Sequence, residues 1–430
     1  MNFELLHPAR QIVMTMERIY SYGMTTTSGG NLSVREENGD LWITPGGVDK
    51  GSLTLDDIMH VAPGGRVTGR HKPSVELPFH QWIYQRRPDV AAIVHAHPPA
   101  LVAFSLVRKT PNTLLVPKMR LVCGQVGMAA YGLPGSVDLG EKIACVFADG
   151  CSAVVLENHG MVVGAPNLFR AFEAFETLDY CARLEIAARR IGTPVALTER
   201  DVMLGDHNQH VRMEEFTPRG YGSPEREVRR EMCELIRRAC DQKLFTSTQG
   251  TFSQRIDGHS FVITPYDVDR KYLEPGDLVR IEDGRREAGK IPSRSVVLHQ
   301  RIYERHPHVS SVIIAHPPNI MAFAVTAESF DSRTIPESYI MLRNVSKLPY
   351  GCTFMDPEKT AAVFARDAPL ALVQNDCVVV TGASLLQAFD RLEVAEYSAK
   401  ALIDCRNLGE VVKISQDQVV EIERAFGLLT

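Results

Sequence analysis

The chain has 430 residues, 44% hydrophobic and 23% charged, with a formal net charge of −5. These are ordinary values for a soluble globular protein, and without a basic excess nothing favours nucleic acid as a partner. No apolar run approaches the ~20 residues that span a bilayer, so no membrane partner is expected either.

In chain order, Met1–Tyr20 reads as an amphipathic helix whose apolar positions are interrupted by charge. It lacks the basic start, apolar centre and small-residue cleavage site of a signal peptide. "LWITP" (Leu41–Pro45) and "AAIVHAHP" (Ala91–Pro98) read as short strands ended by proline. Between them "VELPFHQWIYQRR" has apolar residues at helical spacing, with Ser74 placed as its cap and Glu76 in its first turn. In "ENHG", His159 closes another strand before Gly160, where the backbone can turn sharply. Pro166–Ile191 reads as a long amphipathic helix with Pro166 in its first turn. The nine cysteines are odd in number, irregularly spaced and without a CxxC pair. That usage fits free thiols in a reducing compartment, so a cytoplasmic location is expected.

Most of these segments occur twice. "SGGNLSVR" (Ser28–Arg35) matches "TQGTFSQR" (Thr248–Arg255), and "LWITPGGVDKGSL" (Leu41–Leu53) matches "FVITPYDVDRKYL" (Phe261–Leu273). "IVHAHPPALVAF" (Ile93–Phe104) returns as "IIAHPPNIMAF" (Ile313–Phe323), and "AVVLENHGMVVGA" (Ala153–Ala165) as "ALVQNDCVVVTGA" (Ala371–Ala383). The offset stays near about 217–220 residues, and a constant offset over so many segments marks two homologous domains. The expected boundaries are 1–195 for the first, 196–222 for a polar linker and 223–430 for the second. Each copy mixes strands and helices, so each is read as α/β, a central sheet flanked by helices.

Side chains alternate along a strand, so His95 and His97 share one face, a pleat apart. Imidazole nitrogen is a usual ligand for Zn2+ and its first-row neighbours. His159 is a third candidate, and Glu76 lies near a chain bend from which it can reach a cleft. A buried hydrogen-bonded histidine pair, a turn role for His159 and a helix-terminal role for Glu76 are the plainer alternatives.

Six motifs in the first copy, "SGGNLS", "ITPGG", "KPSVELPFH", "HAHPP", "AAYGLPGS" and "ENHG", occur in an order that resembles the class II aldolase/adducin family. The resemblance covers almost the whole chain, once per copy. It implies an αβα fold in which His95, His97 and His159 hold a catalytic Zn2+, or another divalent ion such as Mn2+, with Glu76 as the acid/base. It further implies substrate anchoring by Gly30, Asn31, Thr44, Gly46 and Ser74, suited to a phosphate or carboxylate because N–H groups converge in such turns. The function implied is a metal-dependent lyase that breaks a carbon–carbon bond beside a carbonyl, where the ion stabilises the enolate charge and the carboxylate moves the proton. A sugar phosphate or related hydroxy-carbonyl compound is the expected substrate.

Two departures bear on that reading. Ser74 is followed by Val75 where the aldolases carry a second serine, and "VPKMR" has no tyrosine where they carry a donor from a neighbouring subunit. Metal-dependent decarboxylation is therefore the main alternative, and an adducin-like interaction module is a second. The second copy has Ile314, Asp376 and Ser295 in place of His95, His159 and Glu76, keeping only His316. One metal per chain is expected, in the first copy. Two chains could close a pseudo-fourfold ring as a homodimer, with Tyr339 of the second copy contributing to the first copy's site.

Overall fold

The computed structural model describes residues 3–206 and 211–428. The chain divides between 183 and 184 into two compact units, with the short stretch 114–117 belonging to the second. The first unit runs α1 (Pro8–Ser21), β1 (Asn31–Arg35), β2 (Leu41–Ile43), β3 (Met59–Val61), β4 (Val67–Thr68), α2 (Leu77–Arg86), β5 (Ala92–Ala96) and α3 (Pro99–Leu106). It continues with α4 (Pro117–Cys123), β6 (Val126–Ala129), α5 (Val137–Ala148), β7 (Ala153–Leu156), β8 (Met161–Ala165) and the long α6 (Leu168–Ile191), of which Pro117 and the end of α6 from Leu184 fall in the second unit.

Its eight strands form one sheet in the order β4-β3-β2-β1-β5-β8-β7-β6. All pairs are antiparallel except β6 with β7. The sheet has helices on both faces. On one face Ile43, Met59, Ile93, Val154 and Val162 pack against Phe79 and Ile83 of α2 and Ile143 and Phe147 of α5. Each such side chain contributes about 1.5–3 kcal/mol by leaving water. On the other face α1 buries Ile12, Met16 and Ile19. It is tied to α6 by Arg18, whose guanidinium lies 3.3 Å from Glu176 and stacks 4.7 Å from the Phe172 ring. Strand alternation puts His95 on the face of the core residue Ile93, at the end of β5 nearest α2.

Three local expectations are corrected. Helix α2 starts at Leu77, so Glu76 is its N-cap residue and not part of the first turn; its side chain makes no cap bond. Ser74 lies further out, its hydroxyl accepting the Glu76 N–H at 3.3 Å, because residues 74–76 form a tight turn closed by Leu77 N–H on Ser74 O (3.1 Å). Helix α6 starts after Pro166, since Asn167 Oδ1 takes the Arg170 N–H (2.8 Å) and so caps it. His159 sits in the tight turn between β7 and β8 and does not close a strand. Leu156 N–H meets Gly160 O at 2.8 Å there, with Asn158 in the left-handed region at φ 56°. Of the expected N-terminal helix, residues 1–2 lie outside the described residues; the helix proper begins at Pro8, capped by His7.

The second unit opens with α7 (Glu199–Asp206), β9 (Glu215–Phe216), α8 (Ser223–Asp241), β10 (Thr251–Arg255), β11 (Ser260–Ile263), β12 (Val279–Glu282) and β13 (Arg285–Glu287). Then come α9 (Val296–Arg305), β14 (Ser311–Ala315), α10 (Pro318–Ala324), α11 (Pro336–Leu342), β15 (Val345–Leu348), α12 (Cys352–Met355), α13 (Pro357–Ala361), β16 (Leu370–Val373), β17 (Val378–Gly382), α14 (Leu385–Cys405) and α15 (Gln416–Ala425). The sheet order, β15-β16-β17-β14-β10-β11-β12-β13-β9, repeats that of the first unit with one strand added at the edge. That strand, β9, comes from the stretch 196–222 and pairs parallel with β13. The nine cysteines, all among the described residues, form no disulfide, and among the described residues no helix is long and apolar enough to cross a membrane.

Candidate metal centre

Three histidines converge at the end of β5. His95 Nε2 and His97 Nε2 are 3.1 Å apart, and the ligating atoms of His95, His97 and His159 all lie within 4.8 Å of one another. The His95 ring is fully buried and its Nδ1–H donates to Met161 O at 2.9 Å. That bond commits Nδ1 and leaves Nε2, which faces His97, as the nitrogen able to ligate once it carries no proton, the usual arrangement for a ligating imidazole. Two nitrogens on one tetrahedral Zn2+ would be ~3.3 Å apart, close to the separation found. The site therefore fits a divalent ion. Gly160 makes room for the His97 ring: a Cβ there would stand 2.5 Å from His97 Cδ2 and 2.6 Å from Ala96 O.

Glu76 faces this cluster from the start of α2. Its Oε2 is 3.2 Å from His95 Nε2, and its Oε1 is 3.6 Å from His159 Nε2 and makes no hydrogen bond. Burial pushes this carboxyl up, but the charge of His95 and the bond to it more than offset burial and hold it well below the usual carboxylate range. Burial also pulls His95 down, and the Glu76 charge more than offsets that too, raising it. His97, pulled by burial and by repulsion from His95, falls to about 3; His159, for the same reasons, falls to about 4. The cluster thus favours positive charge beside Glu76, which His95 carries as a proton on Nε2 and a bound ion would supply in its place, while His97 and His159 are already in the neutral form that ligates metal.

A directed chain of hydrogen bonds holds Glu76 in place. Asn31 Nδ2 donates to Glu76 Oε2 (2.7 Å), so Asn31 Oδ1 is left to accept from His80 Nε2–H (2.5 Å). His80 Nδ1 then accepts from Ser33 Oγ (2.7 Å), which in turn accepts from Tyr84 OH (2.7 Å). Burial pulls His80 down to about 3, which keeps it in this one neutral tautomer. His80, Ser33 and Tyr84 were not singled out from the sequence. The available signal was the repeat itself, because Ser253, His299 and Tyr303 occupy the same places and make the same bonds at 2.6 Å and 2.6 Å.

The expected anchoring residues are placed as follows. Gly30 adopts φ 72° and lies so close to β5 that a Cβ would be 2.8 Å from His95 O. The Asn31 amide is engaged with Glu76 and His80, and the buried Thr44 hydroxyl accepts Leu32 N–H at 3.2 Å. Gly46 N–H is bonded to Lys72 O (3.0 Å), and Ser74 N–H to Thr44 O (3.2 Å). Tyr339 lies on α11 of the second unit, its hydroxyl donating to Glu423 of α15 at 2.7 Å.

In the second unit Ile314 is buried opposite Thr251, the register position that His95 holds against Asn31. Asp376 accepts from Thr353 Oγ1 at 2.9 Å. Among the described residues no second group of three ligating side chains converges.

A family model described as Class II Aldolase and Adducin N-terminal domain matches residues 10–186 and again residues 230–403. The chain is 35% identical to the 3-oxo-tetronate 4-phosphate decarboxylase of Pectobacterium atrosepticum, over 38% of this chain and 77% of that protein. It is 32% identical to the L-fuculose phosphate aldolase of Methanococcus maripaludis, over 39% of this chain and 89% of that protein. A solved structure of an L-fuculose 1-phosphate aldolase aligns at 32% identity with a TM-score of 0.42, covering 46% of this chain and 93% of the other.

Proposed function

Because the chain belongs to the class II aldolase and adducin family, we propose that its first copy is a divalent-metal-dependent lyase that cleaves a phosphorylated hydroxy-carbonyl sugar by retro-aldol reaction. The convergence of His95, His97 and His159 on one point, with Glu76 against it, carries this reading. An ion held by the three imidazoles, Zn2+ by their chemistry, would supply Lewis-acid stabilisation of the charge that develops on the carbonyl oxygen. Retro-aldol cleavage takes a proton from the hydroxyl β to the carbonyl and breaks the bond between the α and β carbons. The electron pair passes into conjugation with the carbonyl, and a proton returned to the α carbon restores a ketone. Glu76 is held for one of these proton transfers, its Oε2 fixed by Asn31 and its Oε1 free. The turns at Gly30–Asn31 and Thr44–Gly46 would frame the phosphate; with the Gly46 and Ser74 N–H groups held by carbonyls, the Ser74 hydroxyl, which only accepts from Glu76 N–H, would donate to it.

Decarboxylation is the second reading, favoured by the resemblance to the tetronate-phosphate decarboxylase. It needs no initial proton removal, only the return of one. The second copy has Ile314 and Asp376 in place of two of the ligands, and two chains closing about a twofold axis are the assembly that the duplication favours.

Metal analysis of the purified protein tests the reading, beside a screen of sugar phosphates for released aldehyde and of keto acids for released CO2. One divalent ion per chain is expected, lost together with turnover in His97→Ala. Two ions per chain, or an active enzyme insensitive to chelators, would overturn it.

A further inference from the structure

Lys50 is buried behind the Gly-rich turns and takes no part in the chemistry above. It is 1% exposed. Its main-chain N–H donates to Thr27 O (2.7 Å), in the turn that leads to Gly30, and its ammonium donates to Pro45 O, between Thr44 and Gly46. An ammonium carries three donors, and among the described residues Pro45 O is the one acceptor that reaches it.

Among the described residues no carboxylate answers the charge. Asp49 next to it is turned to the Gly51 N–H (2.9 Å) and to Ser52 Oγ (2.8 Å). On α1, which packs on this turn, Tyr20 lies against Gly51 through its ring, and Arg18 is directed at Glu176. On the segment before α2, Lys72 offers the turn its carbonyl, taken by Gly46 N–H. Burial accordingly pushes the amine down to about 8, with no neighbouring charge to raise it. A buried ammonium without a counter-charge is costly, and a fold that needed only a pin here would answer that charge.

The second copy shows such a pin. Arg270 takes the same place, with its N–H on Ser247 O (2.8 Å), but its side chain donates both to Gly250 O (3.0 Å) and to Val268 O (2.7 Å). The copy that lost the metal ligands answers its buried cation with two carbonyls and with the charges of Asp269 and Asp267, whereas the copy that kept them gives Lys50 one carbonyl and no charge from an acidic neighbour.

We propose that Lys50 is the positioning cation of the first copy's anion subsite, holding the Pro45 turn and supplying the charge that the substrate's phosphate completes. The proposal rests on the phosphorylated-substrate reading above, and is tested without turnover. Sulfate serves as the probe because it does not itself titrate near pH 8. Calorimetric titration of the full-length, metal-loaded protein compares the wild type with Lys50→Arg and Lys50→Met at pH 7 and pH 9, in two buffers of different ionisation enthalpy.

The wild type is expected to bind sulfate at least fivefold more weakly at pH 9 than at pH 7, and to take up a proton on binding near pH 8. Lys50→Arg should bind with no pH dependence over this range, and Lys50→Met at least tenfold more weakly throughout, both with unaltered metal content. Wild-type binding without proton uptake would overturn the proposal without recourse to any variant. So would a Lys50→Met protein that binds like the wild type, a Lys50→Arg protein that keeps the wild-type pH profile, or a wild type that binds no sulfate. Sulfate binding that follows Lys50 in a protein with no lyase activity would leave this inference standing and remove the catalytic one; lyase activity without sulfate binding would do the reverse.

Discussion

Replacing Glu76 with glutamine separates proton transfer from everything else the residue does. The amide has the shape of the carboxylate, and its oxygen can still accept from Asn31 Nδ2, the 2.7 Å bond that orients the group. His80, Ser33 and Tyr84 behind Asn31 are untouched. What disappears is the basic Oε1, which makes no hydrogen bond in the folded protein and faces His159 at 3.6 Å. A positioned general acid or base contributes about 10²–10⁴-fold to rate, which is roughly 3–5 kcal/mol of barrier at 1.36 kcal/mol per decade. Turnover of Glu76→Gln on a cleaved sugar phosphate should fall by that factor. Metal content should stay at one ion per chain, because the three imidazoles form the ligand set. Aldehyde release in steady state, with metal analysis on the same sample, measures both. Turnover within threefold of the wild type would refute the proton-transfer role. Loss of the ion along with activity would make Glu76 a ligand and not a base.

Two further outcomes are expected. Tyr339→Phe removes the hydroxyl that holds α15 through Glu423, a loss of about 1 kcal/mol, visible as faster proteolysis around 416–425 with turnover unchanged. A tenfold fall in turnover with α15 intact would instead restore the cross-subunit donor that its repeat position suggests. The buried His80 and His299, both pulled by burial to about 3, stay neutral in the native state while the unfolded chain takes a proton near ~6.5. Unfolding is therefore favoured as pH falls from ~6.5 towards 4, by up to about 1.4 kcal/mol per pH unit for each residue. Urea unfolding at pH 7 and pH 5 should show this loss, and His299→Gln should lose about 2 kcal/mol less between the two. Equal losses would contradict the assignment.

The metal site was largely legible in the sequence, because strand alternation alone puts His95 and His97 on one face and the repeat shows which copy kept them. The support behind the site was less so. A helix pattern explains His80 as well as any polar residue could, and only the fold shows that it reaches Asn31 across forty-nine positions of chain. Lys50 was missed for another reason: lysine is almost never fully buried, so no pattern rule flags it. The cap of α2 was misplaced because Ser74 and Glu76 both suit a helix start, and the decision between them rests on the turn closed by the Leu77 N–H. Edge strand β9 has two residues, too short for any periodicity to register.

Gly160 also bears on whether the second copy's loss can be undone. Its counterpart in the β16–β17 turn is Cys377, since Val373 N–H meets Cys377 O at 2.8 Å just as Leu156 meets Gly160. In the first copy any Cβ at this point collides with His97 Cδ2 at 2.5 Å. Reversion of Ile314 and Asp376 to histidine would thus restore the donor atoms and still leave His316 unable to take the ligating pose. The thiol is therefore a further position, besides Ile314 and Asp376, that would have to change before a site of the first copy's geometry could form in the second.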